Sequence, residues 1–292
     1  MRALGFLLAG LTAVAFGLYM VPRRFSHASP DDFSTCMGIG VAVTLALPLL
    51  TGTGRFVLPG FLLAVGSGVV FALATRLFVL SVDRLGLSRA TPVKNLAGVF
   101  GTVFGLWLLA EYRDAGTLLI AQLVLGSLLI ALGAYLIGGV GHPRGAAPAP
   151  ARSDAAGFAF AVLSAACFGF YLVPLRLSAP LGPNLGYLGV GLGALAGLGL
   201  PHLATGRMRC SLREGALGLL AGLLLACGVL VGTPATRLIG LSVAWPLAQL
   251  NTFVALGVGV FWLREFEERQ ERPRLLWATL ATVAGIALLA AL

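Results

Sequence analysis

The apolar segments of this chain hold no acid. Its eleven Asp and Glu residues stand between the oily runs or at their ends, and Lys94 is the one lysine among twenty basic residues. An exporter of lipophilic cations needs an embedded carboxylate, so that class is disfavoured, and a proton relay has no mid-membrane acid to carry it. The three histidines (His27, His142, His202) fall in or near loops, and Cys36, Cys167, Cys210 and Cys227 show no metal-ligand spacing. No His-x-x-x-His, paired-acid or Gly-x-Ser-x-Gly arrangement sits in a span. Nothing therefore points to an intramembrane enzyme, a metal or a cofactor.

What is present is hydrocarbon. Hydrophobic residues make up 58% of the 292 and charged residues 11%, with a mean hydropathy of +0.96, which is the composition of an integral membrane protein. Ten apolar runs, about as long as a 30 Å hydrocarbon core requires, cover 3–22, 33–51, 57–81, 87–109, 116–139, 156–176, 184–204, 214–232, 239–263 and 274–292. The first leads into Pro22-Arg23-Arg24 rather than a cleavage site, so we read it as a transmembrane helix and not a signal peptide. The one sustained Pro/Ala/Gly stretch, residues 140–155, lies almost at the middle and separates 1–139 from 156–292.

These halves repeat each other. "AFGLYMVPRRFS" at 15–26 returns as "CFGFYLVPLRLS" at 167–178, and "LGLSRATP" at 85–92 returns as "IGLSVAWP" at 239–246. In that register Glu111 stands opposite Glu265, each where the fourth helix of its half stops. Five spans is an odd number, so the second copy enters the membrane upside down. The expected fold is all-α, ten transmembrane helices as two inverted five-helix repeats, an arrangement associated with secondary transporters. A scaffold built from two similar bundles remains the plainer alternative.

Ten helices in two such repeats, with Gly-Leu-Ser-x-Ala-x-Pro opening the fourth helix and Glu closing it, resemble the EamA-like members of the drug/metabolite transporter superfamily. Within it, residues 240–289 and "FGLYMVPRR" are similar to the glucose/ribose porter family of sugar uptake proteins. The resemblance implies a secondary carrier of small polar metabolites, most of all sugars, in a bacterial inner membrane, working by alternating access through a cavity between the two halves as they rock against each other. It also implies a central cavity lined by the first, third and fourth helices of each half. An organic-anion, phosphorylated-metabolite or amino-acid carrier of the same superfamily is the alternative cargo reading.

Candidate substrate-binding residues follow from their chemistry. Tyr19 and Tyr171 stand one turn before Pro22 and Pro174; a phenol can stack on a sugar and hydrogen-bond it, or anchor at the membrane interface. Lys94 lies about 12 Å along the fourth helix counted from Gly86, at a depth where a cation faces protein or a wet cavity. Asn95 beside it adds a donor and an acceptor, and the corresponding region of the second half holds Trp245, Gln249 and Asn251. Arg76 is the other cation within a span, able either to meet cargo or to reach the interface near Asp83. Pro22, Pro174, Pro92 and Pro246 are expected to turn or hinge their helices. Glu111 and Glu265 oppose the dipole of the helices they end, which calls for a specific partner and suggests latches or gate elements. Arg23, Arg24 and Arg176 are expected to snorkel to headgroups.

Thirteen arginines fall on the side of the odd-numbered loops and five (Arg2, Arg55, Arg113, Arg176, Arg237) on the other, which by the positive-inside rule places both termini outside. The net charge of +9 thus belongs to membrane topology, with the bilayer and a small-molecule substrate as partners and no nucleic acid. A coupling proton or cation is compatible with a carrier, but no residue identifies its path.

Overall fold

The computed structural model describes residues 1–52, 54–85, 90, 93–112, 116–138, 151–178, 181–205, 210–258 and 272–290. Among these there is no strand, and the helices fall into ten regions matching the ten apolar runs. The first half holds α1 (Arg2–Leu18), α2 (Pro30–Ala46), α3 (Leu58–Leu85), α4 (Ala97–Leu108) and α5 (Thr117–Gly138). The second holds α6 (Ala151–Phe170), α7 (Leu172–Leu177), α8 (Pro183–Thr205), α9 (Leu212–Ile239), α10 (Leu241–Ala248), α11 (Asn251–Gly257) and α12 (Arg272–Ala290). Residues 140–150 of the central linker lie outside the described residues, and α6 begins at Ala151, five positions before the run read from sequence.

Local sequence explains where these helices start. Ser29 caps α2 by accepting from the Asp32 backbone N–H at 3.0 Å, with Pro30 in the first turn and Asp31 and Asp32 complementing the helix dipole. Ser211 and Glu214 form a reciprocal capping box on α9. Five described segments are long and apolar enough to cross a membrane: Arg2–Arg23, Asp31–Thr51, Leu58–Ser81, Ala155–Leu177 and Leu212–Ile239. Large apolar side chains such as Leu62, Leu73, Leu128, Trp277 and Leu280 point outward, while many Ala, Ser and Thr residues join Phe71, Met37, Leu45 and Leu123 in the interior. That is the distribution hydrocarbon solvent selects, since close approach of small residues is what binds helices there.

Four regions are broken rather than continuous. The first helix turns at Tyr19–Met20 and runs on as a 3₁₀ turn over Val21–Phe25 holding Pro22, and the sixth breaks at Tyr171 between α6 and α7, with Pro174 inside α7. The fourth region, read as one span from 87 to 109, turns at Asn95–Leu96, and the ninth turns at the equivalent Gln249–Leu250, between α10 and α11. Tight i+3 bonds mark these turns: Leu96 N–H donates to the Val93 carbonyl at 3.1 Å, and Gln249 N–H donates to that of Pro246 at 3.0 Å. Pro246 lies within α10, so the interruption comes three residues after it; Pro92 lies outside the described residues.

The two sequence halves interleave. The most extensive helix packings all join one half to the other: α3 with α8 and α6, α2 with α9 and α8, α1 with α9, α5 with α12, and α4 with α10 and α6. Backbones nearly touch at two crossings, Gly68 against Gly193 between α3 and α8, and Gly40 against Gly222 between α2 and α9. A Cβ on Gly68 would run into the Val190 carbonyl oxygen, and one on Gly222 into that of Met37.

Candidate functional site

The four breaks converge on a cavity at mid-depth. Phe71 and Leu225, at the midpoints of the 28-residue helices α3 and α9, line it together with Phe16, Tyr19, Lys94, Ala97, Phe168, Trp245, Gln249 and Asn251. Every lining residue comes from the first, third or fourth helical region of one half or the other. Tyr19, Lys94, Trp245, Gln249 and Asn251, nominated from sequence, are all brought here. Tyr171 stands just behind, its ring 5.4 Å from that of Trp245 and 5.2 Å from Phe71. Both tyrosines are buried, with relative exposures of 5% and 1%, so the interfacial-anchor reading fails for them.

Aromatic faces wall the site. Phe16 meets Trp245 edge-on at 6.0 Å and Phe71 meets Phe168 likewise at 5.8 Å. The Lys94 ammonium sits 5.5 and 5.6 Å from the ring centroids of Phe78 and Phe168. It is 8% exposed, and among the described residues no carboxylate pairs with it. Two ring faces attract the charge but use none of its hydrogen-bond donors, so the ammonium on the cavity lining can meet a cargo oxygen or water.

The polar atoms around it are equally unused. Trp245 Nε1, Gln249 Oε1 and Asn95 Oδ1 are buried without a hydrogen-bond partner. Gln249 spends its amide on the Trp245 carbonyl at 3.2 Å, and Asn95 spends its own on the Thr252 hydroxyl, so each is oriented with its oxygen left over. An orphaned buried donor or acceptor costs about 1–3 kcal/mol, and three at one site mark a place built for a polar guest. The cavity beside them is small, at about 20 Å3, room for about one water. A larger guest requires the surrounding helices to part.

Besides Tyr171, two sequence nominations are not on the lining. Arg76 does not reach the cavity: its Nη2 lies 3.4 Å from Asp31 Oδ1, and both side chains are substantially exposed, so the cation solves its burial by leaving the interior. Asn95 is fully buried behind the cavity wall rather than on it. Conversely, Phe16, Phe168 and Phe71 were not anticipated. Phe16 and Phe168 occupy the same place in the repeated Phe-Gly-x-Tyr phrase, a signal that was in view.

Glu111 has the specific partner its position demanded. Its carboxylate accepts from the backbone N–H of Leu241 at 2.8 Å and of Ser242 at 2.9 Å, and from the Ser242 hydroxyl at 2.8 Å. The end of the fourth region thereby caps the start of α10, where the helix dipole favours an anion. Ala110 and Tyr112, on either side, hold left-handed φ values of 50° and 59°, a strained turn that aims the carboxylate. Gly240 is required opposite: its φ is +81°, and a Cβ there would stand 3.0 Å from Glu111 Oε2. Arg176 Nη2 lies 3.6 Å from Glu111 Oε1 and its Nη1 donates to the Thr236 carbonyl, so it is pinned to protein instead of snorkelling. Arg23 is pinned likewise, donating to the Ala28 carbonyl at 2.8 Å and stacking on Phe33. Glu265 and the Gly86-Leu87-Ser88 segment lie outside the described residues.

A sequence profile for the family described as "Sugar transport protein" matches residues 7–292. The chain belongs to this sugar transport family. Among curated proteins no match was found. Eighteen solved chains match it; one, described only as "Crystal structure of protein", gives a TM-score of 0.74 at 18% identity, with 99% of this chain and 96% of that one covered. At that identity the likeness speaks for the fold alone, and it does so over the whole bundle. As a family member with this helical arrangement, the chain is an integral membrane protein of sugar transport.

Proposed function

We propose that this protein is a secondary carrier for a neutral sugar, not an enzyme, and that the sugar binds in the cavity formed by Tyr19, Lys94, Trp245, Gln249 and Asn251. The observation that carries the reading is the set of three unpartnered buried polar atoms, on Trp245, Gln249 and Asn95, at or beside an aromatic-walled cavity in a family member. Ring faces match the C–H faces of a pyranose, and a donor beside two acceptors matches its hydroxyls.

The inverted-repeat plan of the drug/metabolite superfamily, with residues 1–139 and 156–292 as the copies, is the architecture we propose behind it. Support comes from equivalence: exchanging first with sixth, second with seventh, and so on, converts the α1–α9 packing into α6–α3, and α3–α8 into α9–α2. The breaks at Asn95–Leu96 and Gln249–Leu250 exchange as well. Alternating access then proceeds by bending at the four breaks. Rigid rocking of one half against the other is disfavoured, because it would disrupt the interleaved packings. We place the carrier in a bacterial inner membrane.

Proteoliposome uptake tests this. Wild type should accumulate a labelled neutral sugar, Gln249→Leu should reduce uptake at least tenfold, and Lys94→Gln should retain measurable uptake. Transport confined to sugar phosphates or other anions, and abolished by Lys94→Gln in folded protein, would replace the sugar reading with an anion carrier.

A further inference from the structure

Two of the four cysteines meet although 174 residues separate them. Cys36, buried two turns into α2, and Cys210, half-buried just before the Ser211 cap of α9, bring their sulfurs to 3.8 Å. Both are free thiols, and one donates a weak hydrogen bond to the other. The pair joins the first half of the chain to the second, at the end of the bundle that carries the odd-numbered loops.

Glycine builds the seat. A Cβ on Gly218 would stand only 2.5 Å from the Cβ of Cys36, so Cys36 lies directly on the α9 backbone. One turn earlier, a Cβ on Gly215 would lie 3.8 Å from the Cys210 sulfur and 3.9 Å from that of Cys36, which places this glycine beneath both sulfurs. The capping box of Ser211 and Glu214 fixes the chain immediately after Cys210 and holds its thiol over the seat. A disulfide requires about 2 Å between sulfurs, so the present 3.8 Å must close by about 1.8 Å. A turn about one χ1 covers that distance.

We propose that Cys36 and Cys210 are a reversible disulfide site that ties α2 to α9. The oxidant is a low-molecular-weight disulfide, RS–SR. Cys210, the more exposed of the two, gives its proton to solvent, and its thiolate attacks one sulfur of RS–SR, breaking that bond and releasing a thiolate that takes up a proton. Cys36 then loses its proton and attacks the Cys210 sulfur, expelling the second thiolate, which is protonated in turn. The two cysteines together lose two electrons and two protons, and the oxidant becomes two RSH. Excess thiol reverses both steps. By the positive-inside rule this end faces the cytoplasm, where thiols are kept reduced and a disulfide forms under oxidising conditions. Cross-linked, α2 and α9 cannot separate at this end, and the unfolded chain is constrained as well, so the oxidised protein unfolds at a higher temperature. The proposal stands whether or not the cargo is a sugar.

The test equilibrates the full-length protein in nanodiscs with oxidised or reduced glutathione, then denatures and alkylates it for intact mass and peptide mapping, with thermal unfolding followed in parallel. We expect all four cysteines to be alkylated in the reduced protein and only Cys167 and Cys227 in the oxidised one, with a cross-linked Cys36–Cys210 peptide that excess thiol removes. Tm should rise on oxidation in wild type and not in Cys210→Ser, while Cys167→Ala should leave the cross-link intact. Alkylation of all four cysteines after oxidation, or a glutathione adduct on Cys210 that persists without the cross-link, overturns the proposal. A cross-link that forms without raising Tm refutes the tether. Should Cys210→Ser fail to fold, the peptide map and Tm of wild type before and after reduction decide.

Discussion

Trp245→Phe keeps a ring against Phe16 and Tyr171 but removes the indole N–H that the small cavity leaves unpartnered. A hydrogen bond to cargo is worth about 1–1.5 kcal/mol, so sugar affinity should fall about tenfold while Tm in detergent stays nearly constant. Arg76→Gln should leave transport unchanged, because its exposed partner Asp31 lies away from the cavity. The contrast shows what was legible at this scale. Depth and chemical type singled out Lys94, Trp245, Gln249 and Asn251, which the fold brings to the cavity lining. Arg76, for which the sequence left both cargo and the interface open, pairs with the exposed Asp31, because a long cationic side chain can leave the depth of its own Cα. Phe71 escaped it because an apolar residue in an apolar helix carries no distinguishing signal, whereas Phe16 and Phe168 are marked by the repeated Phe-Gly-x-Tyr phrase. The closeness of Cys36 and Cys210, whose sulfurs lie 3.8 Å apart, was invisible for another reason: their separation of 174 residues has no local signature.

Among elements, the Glu111 turn carries the most specific expectations. Glu111→Ala removes the carboxylate that accepts at Leu241 and Ser242 and should lower stability by about 1.5–3 kcal/mol, read as a lower Tm. Ala110→Gly should be neutral or stabilising, because glycine adopts the left-handed φ of 50° without the Cβ penalty. A lower Tm for Ala110→Gly than for wild type would mean that the turn is not strained. The sequence revealed that Glu111 needed a partner but not which one, because the helix start it caps lies 130 residues away. Helix breaks were legible in part: Pro92 and Pro246 announced an interruption nearby, and the turns come at Asn95–Leu96 and, three residues after Pro246, at Gln249–Leu250.

In the whole molecule, the ten apolar runs and their two-fold repetition were readable, since both are written along the chain. The interleaving of the halves was not, because order in sequence says nothing about which faces meet. That interleaving makes the glycine crossings critical. Gly68→Val or Gly222→Val forces a side chain into a facing carbonyl and should cost about 1–3 kcal/mol or more, seen as loss of monodisperse protein, whereas Gly66→Val, open on that side, should be tolerated. The most direct test of the cavity as the sugar site is fluorescence from Trp245 as the sole indole, with Trp107, Trp262 and Trp277 replaced by Phe, in a transport-competent protein. We predict a saturable change in Trp245 emission on addition of the transported sugar, lost in Gln249→Leu. Unchanged emission during intact sugar transport would contradict the assignment of this cavity.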